Sequence, residues 1–202
     1  LYFCAIDGTN VLYRNLGGMQ FEDVTATAEV GCPRLHSTGA VFADVDGDGR
    51  VDLLVSTLGQ GVHCFMNEGN GRFRESTAEA GLVSQTGSTT LALADVDGDG
   101  TLDLYVANYG ALSLYRSGGS IQVRQENGKW VVIGPNSDRL RYVNGKIQEV
   151  GEADVLYLND GSGHFHSLPW NSGHFLDPDG RPAPPPLDFG LSVQMRDING
   201  DG

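Results

Sequence analysis

Three scarcities narrow the reading of this chain before any motif is considered. Basic residues are few: 13 Lys+Arg stand against 26 Asp+Glu, for a net charge of −13. A nucleic-acid partner calls for a basic stripe that displaces counterions from phosphates, so that partner class is excluded. No apolar run approaches about 18 residues, so no transmembrane segment lies within the chain. Cysteine is limited to Cys4, Cys32 and Cys64, an odd number that cannot pair completely. Cys64 occupies the repeat position of Leu12 and Leu156, and Cys4 that of Ser56 and Ala107, so both read as buried packing residues. Also missing is a catalytic set. His36, His63 and His174 are isolated, and no Ser/His/Asp arrangement is visible. No leader is seen, but the first residues already read as strand, which leaves export open.

What the chain has in quantity is glycine and aspartate. The 29 glycines fit many turns between short strands. Ten of the 26 acids sit in three loops that share one pattern. The first is Asp44-Val45-Asp46-Gly47-Asp48-Gly49-Arg50-Val51-Asp52. The second is Asp95-Val96-Asp97-Gly98-Asp99-Gly100-Thr101-Leu102-Asp103, and the third begins Asp197-Ile198-Asn199-Gly200-Asp201-Gly202. Carboxylates at positions 1, 3, 5 and 9, with the backbone carbonyl of position 7 (Arg50, Thr101), form a hard-oxygen cage suited to Ca²⁺, one ion per complete loop. The competing reading is that Asp and Gly merely favour turns. Four unneutralised carboxylates in nine residues, repeated in full, speak for the metal. An EF-hand is excluded: its loop needs a bidentate Glu at position 12, where Val55 and Val106 stand, and strand-like runs follow where a helix should.

The loops begin at 44, 95 and 197, so the third lies two periods of 51 beyond the second. A second landmark recurs between them: Leu12-Tyr13-Arg14-Asn15, Cys64-Phe65-Met66-Asn67 and Leu156-Tyr157-Leu158-Asn159. Each is followed by a glycine turn and an aromatic, Phe21, Phe73 or Phe165. Four short strands per unit of about 50 residues are the signature of β-propeller blades, so the expected class is all-β, about three blades of one propeller domain over 1–202. Leu191-Ser192-Val193-Gln194-Met195 reads as the strand entering the third loop. Both ends fall at equivalent points of the repeat, which reads as an internal piece of a longer ring.

Residues 109–152 break the period. Asn127-Gly128 and Asn144-Gly145 between alternating runs signal two hairpins. They read as an insertion in one blade or as a degenerate blade without an Asp loop. The stretch carries Arg116, Arg124, Lys129, Arg139, Arg141 and Lys146 against Glu126, Asp138, Glu149 and Glu152, net +2, which suits a partner-facing surface or a solvated arm. Trp170 to Asp188, with Pro184-Pro185-Pro186, reads as a polyproline-like surface loop.

On these motifs, and on Phe189-Gly190 before the third loop, the chain resembles FG-GAP (VCBS) repeats, the blade units of integrin α-chain-type propellers. Phe73-Arg74-Glu75-Ser76-Thr77-Ala78-Glu79-Ala80-Gly81-Leu82 resembles the cartilage-acidic-protein-like branch, whose bacterial members often add an ASPIC/UnbV domain. The resemblance implies a calcium-stabilised, secreted, surface-exposed or periplasmic propeller of about seven blades. Its implied role is adhesion or binding of a protein or glycan, alone or within a larger surface assembly. By position, it carries over as calcium ligands Asp44, Asp46, Asp48, Arg50 and Asp52; Asp95, Asp97, Asp99, Thr101 and Asp103; and Asp197, Asn199 and Asp201. The alternative is a polysaccharide lyase or hydrolase built on a propeller. His164 and His166 are its candidates, and they align with Arg72 and Arg74 at positions expected to be exposed.

Overall fold

Strands form where the apolar runs flank the Asp loops and the Asn-Gly turns. The computed structural model describes residues 1–111, 121–134, 137–196 and 198. Tyr2–Phe3 (β1), Val11–Gly17 (β2) and Gln20–Asp23 (β3) make a three-stranded antiparallel sheet, blade I, followed by one helical turn at Thr25–Ala28 (α1). Ser37–Ala43 (β4), Asp52–Thr57 (β5), Gly61–Gly69 (β6) and Arg72–Glu75 (β7) form blade II in sequential order.

Ser88–Ala94 (β8) and Asp103–Asn108 (β9) start blade III. Two separate hairpins come next in the chain. Gln122–Glu126 (β10) pairs with Lys129–Ile133 (β11), and Leu140–Val143 (β12) with Lys146–Glu149 (β13). Asn127 and Asn144 take φ of 50° and 51° in their turns, the left-handed region that Asn tolerates. Val155–Asn159 (β14) then returns beside β9, and Phe165–Leu168 (β15) closes the sheet in the order β15-β14-β9-β8. The fold is thus all-β, made of successive antiparallel blades of a propeller; no closed barrel forms among the described residues. The three blades share one register: Asn15 stands opposite Phe21, Asn67 opposite Phe73, and Asn159 opposite Phe165.

Blades stack face to face. Leu53, Val55, Phe65 and Phe73 of blade II pack with Ala28 and Val30 and against Tyr2 and Leu12 of blade I. Leu54, Val62, Cys64 and Leu82 of blade II pack with Leu104, Val106 and Phe165 of blade III. The second strand is the most enclosed, and every residue of β5 is buried. Hydroxyls stitch the first strands together. Thr38 Oγ1 donates to the Ser88 carbonyl (2.7 Å), and Thr89 Oγ1 repeats the move one blade on, donating to the Gly190 carbonyl.

Two expectations need correction. Leu191–Met195 is irregular rather than a strand. Thr90 Oγ1 reaches the Leu191 carbonyl at 2.9 Å, but no backbone ladder forms there among the described residues, and a strand needs one. Cys4 is half-buried rather than buried, whereas Cys64 is fully buried and its thiol is pushed up to about 12, by burial first and by nearby carboxylates next.

The hairpins leave and re-enter blade III at neighbouring points. The Asn108 N–H donates to Asp154 Oδ1 (2.7 Å) and its side-chain amide to the Ala153 carbonyl (2.6 Å). Glu152 accepts from the backbone N–H groups of Gly87 (2.6 Å) and Ala111 (2.9 Å). Arg139 lies 3.1 Å from Glu149 and 3.6 Å from Glu152.

Candidate metal centre

Each of the two complete Asp loops joins the first and second strands of its blade, 44–51 between β4 and β5 and 95–102 between β8 and β9. The chain wraps because Gly47 and Gly49 take φ of 74° and 85°, matched by 80° and 91° at Gly98 and Gly100, a region costly for other residues. Side chains then hold the wrap. Asp44 Oδ1 accepts from the Gly47 N–H and Oδ2 from the Gly49 N–H, both at 2.9 Å. Asp95 does the same with Gly98 (2.8 Å) and Gly100 (2.9 Å). Asp46 accepts from the Asp48 N–H (3.1 Å), as Asp97 does from Asp99 (3.2 Å).

The wrap brings three carboxylates together in each loop. One oxygen each from Asp44, Asp46 and Asp48 lies within 4.8 Å of the others, and so it is for Asp95, Asp97 and Asp99. Like charges so close repel and favour a cation between them. The donor set is all oxygen and rich in carboxylate, and it fits a hard divalent ion. These two clusters could hold a metal.

Position 9 lies outside both triads. Asp52 and Asp103 open the central strands β5 and β9 and are 1 % and 0 % exposed. Each spends one bond per oxygen on backbone. Asp52 accepts from Asn67 N–H (2.8 Å) and Val45 N–H (3.1 Å); Asp103 accepts from Asn159 N–H (2.9 Å) and Val96 N–H (2.8 Å). Burial pushes the Asp52 carboxyl up; the two N–H groups oppose that, and Asp46 and Asp48 add to it. A carboxylate oxygen has lone pairs beyond one accepted bond, so both groups keep donor capacity.

At position 7 the loops diverge. Arg50 sends its guanidinium back, Nε to the Asn67 carbonyl (2.7 Å) and Nη2 to Asp48. The Thr101 hydroxyl lies 2.7 Å from Asp99 Oδ1 and 3.1 Å from the Asn159 carbonyl, two acceptors that share its one proton. The Thr101 hydroxyl and then its backbone N–H (2.8 Å), both at Asp99, hold that carboxyl below the usual carboxylate range. Asp197, Asn199 and Asp201 lie outside the described residues.

Sequence reasoning marked Asn67 and Asn159 only as turn landmarks. In the structure their side chains brace the Asp loops, Asn67 Nδ2 to the Val51 carbonyl (2.9 Å) and Asn159 Nδ2 to the Leu102 carbonyl (3.1 Å). The available signal was the same Asn before a glycine turn in every repeat. Beside the first loop lies a cleft of about 420 Å³ lined by Asp46, Arg50, Met66, Arg74 and His164 among others. Its Arg74 is paired with Glu68 and Glu79. His164 and His166 are exposed, and His164 Nδ1 lies 4.0 Å from Asp160 Oδ2.

Blades of this topology, with an Asp-rich loop between first and second strands, define a class of repeat protein. A family model for FG-GAP-like repeats matches residues 1–55 and 44–106, together just over half of the chain, and the chain belongs to that family. It is similar to cartilage acidic protein 1 of Mus musculus and of Homo sapiens, each 29% identical over 129 residues, 60% of this chain. The protein of that name in Xenopus tropicalis is 28% identical over 105 residues. The match spans 19% of the mouse and human proteins' length. Among the described residues, no helix is long and apolar enough to cross a membrane.

Proposed function

We propose that this chain is a calcium-stabilised, non-catalytic propeller module that acts outside the cell, where its loops or its hairpin arm bind a protein or glycan partner. The observation that carries the metal half is the recurrence of one carboxylate triad at the same point of two consecutive blades. Asp44, Asp46 and Asp48 would hold one Ca²⁺ with the Arg50 carbonyl and Asp52. Asp95, Asp97 and Asp99 would hold another with the Thr101 carbonyl and Asp103. Asp197, Asn199 and Asp201 belong to a third loop of the same pattern. Bound calcium would neutralise the triads, and the loops' N–H network pre-shapes them for it. Residues 109–152 are then an arm inserted between the second and third strands of one blade. Millimolar external calcium suits Asp-rich sites of moderate affinity, and the similarity to cartilage acidic protein 1 supports an extracellular setting.

The test is thermal unfolding with calcium and with excess chelator. Two sites filled well above their dissociation constants stabilise by about 5 kcal/mol, which lowers Tm by roughly 10 °C or more when the ion is stripped. The same Tm in both buffers, with no calcium uptake, would overturn the reading.

A further inference from the structure

We infer that Asn159 couples the two Asp loops, so that a cation in one raises the affinity of the other. The inference rests on the calcium reading above and goes beyond it, because separate sites on separate blades have no need to communicate.

The physical link is an unbroken chain of hydrogen bonds, buried from Asp52 as far as Asp103 and half-exposed only at its last link to Val96. At the first loop, Val45 N–H donates to Asp52 Oδ2 (3.1 Å). The carbonyl of the same Val45 accepts from Asn159 Nδ2 (2.8 Å), a contact across the blade seam between residues 114 apart in sequence. Asn159 N–H donates to Asp103 Oδ1 (2.9 Å), and Asp103 Oδ2 accepts from Val96 N–H (2.8 Å) in the second loop. Val45, Asp52, Asp103 and Asn159 are all 3 % exposed or less. With water excluded, a broken link leaves a buried donor or acceptor unmatched, so displacement at one end is felt at the other.

Packing runs in parallel. The turn after Asn159 sits between the loops: Thr101 Oγ1 holds the Asn159 carbonyl at 3.1 Å from one side. From the other side, a Cβ built on Gly163 would fall 2.5 Å from Met66 Cε and 3.3 Å from Asp46 Cβ. A Cβ on Gly161 would stand 3.0 Å from Thr101 Cγ2, and one on Gly47 would stand 3.7 Å from the Gly161 carbonyl. One tight turn thus touches both loops. A cation that fixes either loop orders this shared turn, and the second cation meets it already ordered, which gives positive coupling.

The experiment reads each loop separately by NMR during calcium titration of the whole chain, using the amides of Gly47 and Gly49 for the first loop and of Gly98 and Gly100 for the second. Asp97→Asn with Asp99→Asn silences the second loop while leaving Asp103 and its bonds in place. In the otherwise native chain this lowers the first loop's calcium affinity by about fivefold or more. In an Asn159→Leu background the same change moves it by less than about twofold. Thr101→Val, which removes a single bond to the turn, gives an intermediate effect and serves if Asn159→Leu does not fold. Indifference of the first loop to silencing of the second in the native background overturns the coupling by itself. So does an undiminished effect in the Asn159→Leu background. If neither loop's amides respond to millimolar calcium, the calcium reading falls, and the coupling with it.

Discussion

The two complete Asp loops are built on the same hydrogen-bond plan and differ in what stands over them. The first loop carries its own cation: Arg50 folds its guanidinium onto Asp48. The second has Thr101 there and keeps its full negative charge. The first loop is also roofed, since Asn159 of the next blade caps the Val45 carbonyl and leaves Val45 2 % exposed. The difference teaches that the repeat specifies the wrap, while position 7 sets how much of the carboxylate charge the chain neutralises by itself.

What the loops share should fail most severely and equally. Asp52→Ala and Asp103→Ala each strip the acceptors from two backbone N–H groups, so each should cost about 4 kcal/mol in urea unfolding even with chelator present. A cost that appears only with calcium and vanishes in chelator would show that these residues act mainly as metal ligands and not as backbone staples. What the loops do not share comes next. Arg50→Thr makes the first loop resemble the second and should raise its calcium affinity roughly fivefold, worth about 1 kcal/mol, in a titration at low salt. No gain would mean that the guanidinium already yields to the ion without penalty.

The smallest effect separates the blades by acid. His63 on β6 occupies the place held by Val11 in blade I and Val155 in blade III. Burial lowers its pKa, Glu75 partly opposes this, and Nε2 finds no hydrogen-bond partner among the described residues. A histidine depressed on folding stabilises the native state above its unfolded value, about 6.5, and that stability is lost as pH falls from there through the depressed folded value. Between pH 7 and 5, His63→Val should therefore lose less stability than the native chain. Equal losses would assign the acid sensitivity elsewhere.

Much of this was legible because the repeat is written in residues with few alternatives. Asp-x-Asp-Gly-Asp-Gly dictates a wrap, and the Asn-to-aromatic spacing placed the third and fourth strands of each blade, as the shared Asn67–Phe73 and Asn159–Phe165 register shows. What stayed hidden depends on distance in sequence. Nothing local says that Asn159 reaches Val45, that Arg50 turns its side chain and not only its carbonyl to the loop, or that each oxygen at position 9 also accepts a backbone N–H.

The latch at the root of the hairpins has a consequence for evolution and engineering. Because Asn108, Ala153 and Asp154 close the gap where the chain departs and returns, blade III does not register how long the excursion is. Doubling such a loop costs only about 0.6 kcal/mol in closure entropy. The blade therefore works as a socket: the arm can be lengthened, exchanged or recruited to a new partner while the aspartates across the sheet keep their geometry.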